Sequence, residues 1–283
     1  MAAWTTNATN VIGGLSGDAG TFLGGSSKQT KGFTCLWQVG GANSDETFNG
    51  VINNLPAGLN SAYSGTVSIT KEGTGLWRLT GKNVYSGTTI VSAGTLVVNG
   101  THTGTGAVSV LGGATLKGKG SLKGKVSVAN GGILCPGDTL VDNSSITLDG
   151  GVTFNTGSTL LIPVAENGEE AIRINAVRVN GNVNISQGAN LELDLTRAAK
   201  HQFRRGDAIP VFTNSTIETG SGSFNIIPQT PGEGLEWETS TLLVDGMLRV
   251  KNEGEIYEGG AITTQVYDAP LEHTASSQGG ANE

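Results

Sequence analysis

The chain has 283 residues, 45 of them Gly, roughly twice the usual share, and only 14 % are charged against about 25 % in an ordinary domain. Gly costs about 1 kcal/mol in a helix interior, so a coiled coil or helical bundle is excluded, and the sparse charge with abundant β-branched residues excludes a disordered chain. The net charge of −7 excludes a general nucleic-acid binder, and no apolar run reaches the ~18 residues of a spanning helix.

Met1-Ala2-Ala3-Trp4-Thr5-Thr6 has no basic region followed by an apolar stretch. The sequence therefore predicts either a cytosolic protein or, preferably, an excised segment of a larger one. Residues 1–25 are a candidate end cap, with Trp4 and Phe22 as its apolar contacts. Alternation in Cys35-Leu36-Trp37-Gln38-Val39 and in Leu76-Trp77-Arg78-Leu79 turns Trp37 and Trp77 inward. Residues 71–125 are basic: Lys71, Arg78, Lys82, Lys117, Lys119, Lys123 and Lys125 face a single acid, Glu72.

From residue 88 the chain repeats one template: two β-formers spaced by two, a turn with Gly, then a Leu. The pairs are Thr88/Ile90, Val108/Val110, Val126/Val128, Val152/Phe154 and Val183/Ile185, and the Leu follows six residues later at Leu96, Leu116, Leu134, Leu160 and Leu191. Gly stands three before that Leu in the last four copies and two before it, at Gly94, in the first. Alternation gives each short strand one inward face, and Gly permits the corner. A unit this short must stack on a neighbour to bury its apolar face. The expected fold is all-β, a parallel β-solenoid of roughly a dozen rungs and ~60 Å, with an antiparallel β-sandwich as the alternative. Leu195 to Gln202 is the only helix-like stretch, read as an excursion between rungs, and a strand follows from Ala208 to Phe212. Residues 235–267, with Trp237 and Tyr257, are the second candidate cap. Residues 1–250 form the rod, and residues 251–283, with six acids against Lys251, read as a loose tail or linker.

Residues 73–137 resemble a known repeat. Gly73-Thr74-Gly75, Leu79-Thr80-Gly81, Asn83, Tyr85-Ser86-Gly87-Thr88-Thr89 and Ala93-Gly94-Thr95-Leu96 are similar to the autotransporter-associated β-strand repeat. Gly112-Gly113-Ala114-Thr115-Leu116 and Gly131-Gly132-Ile133-Leu134-Cys135-Pro136-Gly137 continue it. Phe48-Asn49-Gly50-Val51-Ile52 resembles the short strand that precedes such repeats, and Gly234 to Trp237 with Asp245 to Val250 resembles closing rungs. The resemblance implies a right-handed β-helix of a bacterial surface or secreted passenger, with a repeat that assists export. It implies no catalytic residue. Residues 251–283 lack the alternating strands and aromatic girdles of an outer-membrane barrel, so another secretion route or a longer parent is expected. Cys135 stands where the family more often has Ala or Ser.

Candidate sites are few. Cys35 and Cys135, about five rungs apart, are expected as two separate reduced thiols packed like small apolar residues. His102, His201 and His273 form no metal-ligand spacing, and no cofactor or metal is expected. Lys117, Lys119, Lys123 and Lys125 are the most distinctive charged feature. Stacked rungs would display them as a basic ridge for acidic glycans, against the plainer reading of a solvated face that discourages edge pairing. Trp37, Trp77 and Trp237 are weighed as sugar platforms against core or end packing. Glu166, Glu169 and Glu170 beside Arg173 are an inserted acidic loop, a pair of which would suit glycoside hydrolysis. Asp138, Asp142 and Asp149 would serve a lyase if they stacked. Gly104-Thr105-Gly106 and Gly118-Lys119-Gly120 precede no helix and so lack phosphate-loop geometry. Arg205-Gly206-Asp207 is an adhesion-type tripeptide that also arises by chance. The sequence thus favours a non-catalytic surface or secreted rod, a stalk or adhesive passenger whose partners would be surface glycans or other surface proteins. A glycan-binding module and a polysaccharide-degrading enzyme are the alternatives.

Overall fold

Strands of mostly two to six residues cannot stand alone, and here they coil. The computed structural model describes residues 7–25, 33–55, 65–139, 141–167, 171–213, 216–217, 222–251, 255–258 and 261–264, and its body is a parallel β-helix of nine rungs with three faces. Face A stacks nine strands: Asn7–Ile12, Thr34–Val39, Thr66–Lys71, Thr89–Val91, Val108–Val110, Val126–Val128, Val152–Phe154, Asn182–Ile185 and Thr216–Ile217. Face B begins at Glu46–Phe48 and continues through Leu76–Leu79, Gly94–Val98, Ala114–Gly118, Ile133–Pro136, Thr159–Glu166 and Ala189–Arg197 to Phe224–Ile227. Face C runs from Thr101–His102 through Ser121–Leu122, Ser145–Leu148 and Ala176–Val179 to Phe212–Thr213. Below it Phe22–Gly24 pairs with Val51–Asn53, and a bridge from Asn83 to His102 supplies the rung between.

Nine rungs at ~4.8 Å make a stack of ~38 Å, shorter than the dozen expected. The difference comes from rung length. Val108 pairs with Val126, which is the short rung of the template, but Thr34 pairs with Thr66 and Val152 with Val183, so rungs toward both ends carry longer loops.

The five template leucines form one continuous column: Leu96 pairs with Leu116, Leu116 with Leu134, Leu134 with Leu160 and Leu160 with Leu191, all at most 1 % exposed. Trp77 lies beside Leu96 and Ile226 beside Leu191 at its two ends. Four of the five face-A pairs stand in register as the template places them. The first does not: Thr89 and Val91 pair with Val108 and Val110, so Thr88 is exposed and Ile90 points outward. The turn before Leu96 is one residue short, which the displaced Gly94 already signalled. A one-residue slip sends a strand's side chains to the opposite faces.

The glycine excess has a packing cause at the corners. Gly50, Gly81, Gly100 and Gly120 stack between faces B and C, and Gly87, Gly106 and Gly124 between C and A. A Cβ on Gly81, Gly100 or Gly120 would fall on the carbonyl oxygen of the glycine below, closer than any real Cβ contact. The two suspected phosphate-loop stretches supply members of these ladders.

The C-terminal end is closed by an antiparallel sheet of Ala208–Pro210, Met247–Val250 and Trp237–Glu238. Leu242–Asp245 is the single short helix among the described residues, with Leu242 buried. The stretch Leu195 to Gln202 is not helical. Its start extends the strand Ala189–Arg197, because pairing of Arg197 with Ala165 outweighs local helix propensity. Trp237 packs edge-on against Phe203 in the cap, whereas Phe22 at the other end is 56 % exposed and supplies no buried contact. Trp4 lies outside the described residues. Within the acidic C-terminal segment, Glu255–Glu258 and Ala261–Thr264 pair as an antiparallel hairpin, and residues 265–283 lie outside the described residues.

Candidate functional site

Polar chemistry gathers on the outside of face B. Alternation places Arg78, Val97, Lys117 and Cys135 in one outward column on successive rungs. After Pro136 the chain reverses at Gly137, whose φ of 88° suits glycine. Gly137 exchanges both backbone hydrogen bonds with Gly118, and the following segment lies back across the column. Asp138 receives Arg78 Nε and Nη2, each at 2.8 Å, and Asn99 Nδ2 at 2.8 Å, so one carboxylate ties rungs far apart in sequence. Arg197 Nη1 donates to the Thr139 carbonyl at 2.9 Å, and Lys119 approaches Asp142 at 3.8 Å. Val97 and Cys135, which would otherwise face water, are buried.

Beneath this strap is a cavity of about 170 Å³ lined by Lys117, Cys135, Asp138, Asp194 and Arg197 among others. Asp138, Asp194 and Arg197 are engaged, the second by the Thr196 hydroxyl. The Arg78 guanidinium holds the Asp138 carboxyl below the usual range, with help from Asn99. Burial pushes the Cys135 thiol up to about 11, so at neutral pH it is a protonated thiol and not a nucleophile. Cys35 sits on face A with its thiol also raised by burial, and both cysteines are free. They stand four rungs apart, ~19 Å along the axis, well beyond the ~7 Å limit for a disulfide.

The four lysines do not form a ridge along the rod. They belong to one rung and go around it: Lys117 is outward on face B, Lys119 lies just beyond that strand, and Lys123 and Lys125 follow the face-C strand Ser121–Leu122. The axial neighbours of Lys117 are Val97 and Cys135, so no lysine stacks on it. The three aspartates separate as well. Asp138 is held by Arg78, Asp142 lies near Lys119, and Asp149 accepts Asn180 Nδ2 at 2.6 Å. Glu166 accepts the Lys200 backbone N–H at 2.8 Å at the end of its strand, Arg173 donates to Asn167, and Glu169 and Glu170 lie outside the described residues. Trp37 and Trp77 are buried, with indole N–H groups donating to the Gly24 and Leu15 carbonyls. Arg205-Gly206-Asp207 occupies an exposed turn, but the Asp207 carboxylate accepts the Arg204 N–H at 2.7 Å within that turn.

Sequence reasoning missed the polar groups inside the rod. Lys71 is 1 % exposed, in the same inward column as Val39 and Val91. Its ammonium donates to the carbonyls of Glu72, Gly73 and Ala93 at 2.6, 2.9 and 3.3 Å, and burial lowers its pKa. Higher up, Asn83 Oδ1 accepts the Ile52 N–H, Tyr85 shares a 2.6 Å hydrogen bond with Thr89, and the His102 ring stacks on Tyr85 at 4.1 Å. Burial lowers the His102 pKa and raises Tyr85 to about 12. The signal in the sequence was the parity of the alternation: Lys71 falls on the inward phase of Thr66–Lys71.

With this geometry in place, comparison with known families is informative. A family model described as passenger-associated-transport-repeat matches residues 69–98. That span runs from Ile69 on the third rung through the face-B strand of the fourth, and it contains Lys71, Asn83, Tyr85 and the short turn at Gly94. No curated protein matches the chain.

Proposed function

We propose that this passenger-type β-helix is a non-catalytic rod, displayed on or released from a bacterial surface as a stalk or adhesive spacer. The observation that carries the reading is the transport repeat itself, built into the third and fourth rungs of an unbroken nine-rung stack. The distribution of charge supports it. Arg78 and Asp138 hold a strap down, Lys71 binds carbonyls, and the acids that a hydrolase or lyase would need stand apart. A stack in which each inner rung pairs with two neighbours holds its loops at fixed heights, which is what a spacer requires.

The test is location and inertness together. Antibodies against the chain should label intact cells of the source bacterium, or recover the chain from its medium, while a cytoplasmic marker stays unlabelled. Labelling only after lysis overturns the surface reading. Incubation with acidic and neutral polysaccharides, with and without Ca²⁺, should release no new reducing ends or unsaturated products. Turnover on any of them makes the chain an enzyme.

A further inference from the structure

We propose that the C-terminal end of the rod carries a binding site for a neutral saccharide, built around Trp237. A cavity of about 480 Å³ opens between the last face-B strand, Phe224–Ile227, and the cap. That volume lies within the ~300–1,000 Å³ usual for small-molecule sites. Trp237 lines it, and its orientation is fixed twice. The indole N–H donates to the Pro228 carbonyl at 2.8 Å, and the ring meets Phe203 edge-on at 5.4 Å. With the N–H engaged, the ring offers the cavity only apolar surface, already immobilised.

The remaining lining is polar and mostly neutral: Asn225, Gln229, Thr230 and Thr239, with Glu236 at one side. Gln229, Thr230 and Thr239 are exposed, and among the described residues their side chains have no hydrogen-bond partner. Amide and hydroxyl groups both donate and accept, as sugar hydroxyls do. A pyranose combines an apolar C–H face with a polar hydroxyl edge, and one rigid aromatic ring beside a set of amides and hydroxyls complements both. Charge selects among saccharides. The lining holds no Lys or Arg, and Glu236 at its side is already paired with Lys251 at 3.1 Å, so nothing in it compensates the charge of a carboxylated or sulfated sugar. This site is separate from Lys117, Lys119, Lys123 and Lys125, and it does not depend on where the rod is displayed.

The experiment is a titration of the intact chain with neutral disaccharides (cellobiose, maltose, lactose and N,N′-diacetylchitobiose). It is read by tryptophan fluorescence and by saturation transfer to the sugar protons. We expect saturable binding of at least one of them, with a Kd in the millimolar range. Trp237→Ala removes the ring but also a cap contact, so the deciding variants are the exposed Gln229→Ala and Thr239→Ala. Each should weaken binding about threefold to tenfold, the size of one lost neutral hydrogen bond, while Lys117→Gln leaves it unchanged. Three results overturn the proposal. The first is no response to any disaccharide. The second is binding indifferent to Gln229→Ala and Thr239→Ala. The third is a response confined to heparin fragments that fades with salt and with Lys117→Gln, or confined to peptides.

Discussion

Thr at position 90 and Thr at position 91 should have opposite consequences. Val91 is fully buried on face A, between Lys71 and Val110 in the inward column. Ile90 is half-exposed and points outward, between Thr70 and Ser109. Val91→Thr keeps shape and β-branching and adds one hydroxyl beside Val110 on one side and, on the other, Lys71, whose ammonium is already committed to three carbonyls. Burying a hydroxyl without a good partner costs about 1–3 kcal/mol. Ile90→Thr leaves a β-branched residue on the solvent side, matching the hydroxyl-bearing Thr70 and Ser109 beside it, and should change stability by no more than about 0.5 kcal/mol. The assay is urea unfolding of the two variants and the parent, followed by circular dichroism. At a typical m-value of about 2 kcal/mol/M, Val91→Thr lowers the midpoint by roughly 0.5–1.5 M, and Ile90→Thr moves it by less than about 0.25 M. The repeat template read from the sequence puts Ile90 inside, and it demands the reverse order. If Ile90→Thr is the more damaging, the register of the fourth rung is wrong, and with it the explanation of the short turn at Gly94.

Three further outcomes test other parts of the fold. Gly100→Ala, whose Cβ would meet the Gly81 carbonyl, should destabilise by about 1–3 kcal/mol, whereas Gly113→Ala meets no atom within 4 Å and costs only its positive φ. Because Arg78 holds the folded carboxyl of Asp138 below its unfolded value near 3.9, its stabilisation is present above pH ~4 and is lost as the pH falls through the folded pKa. Acid titration of stability should therefore be shallower below pH 4 in Asp138→Asn, and equal slopes would remove the pair from the account. His102, with its folded pKa below the ordinary value, is neutral in the fold while the unfolded chain takes up a proton below pH ~6.5. Stability should drop from pH 7 to pH 5 in the parent and less so in His102→Phe, as measured by thermal melts at each pH.

What the sequence made legible follows from periodicity. The leucine column is readable because one large residue recurs at fixed distance from a β-branched pair, and a solenoid repeats only if that distance repeats. The slip at Thr88 and Ile90 occurred where the template itself was irregular, at Gly94. The rung count was overestimated because loops between rungs leave no periodic trace. The Arg78–Asp138 pair was illegible for a different reason. It joins rungs through a segment running back along the rod, and no spacing rule links two residues brought together by a reversal at Gly137. The supposed lysine ridge failed on geometry: residues close in sequence lie around one rung, while a ridge along the axis needs residues one full rung apart.

Where the chain departs from its template is also where binding can reside. The fourth and fifth rungs have the template's short connections, and their outward residues on face A are Ile90 and Ser109, with no charge. Toward both ends the connections lengthen, as where Thr34 pairs with Thr66 and Val152 with Val183. They include the strap beyond Gly137, the hairpin of Thr159–Glu166 with Ile172–Ile174, the segment between Arg197 and Ala208, and the cap with its Trp237 cavity. A rung buried on its inner side and paired on both edges tolerates little change, since a slip of one residue inverts its pattern. A loop between rungs is free of that constraint, because only its two ends must meet the stack. The freedom to vary therefore lies in the connections toward the two ends of the stack, and the transport repeat at residues 69–98 runs from the third rung into the short ones, where register matters most.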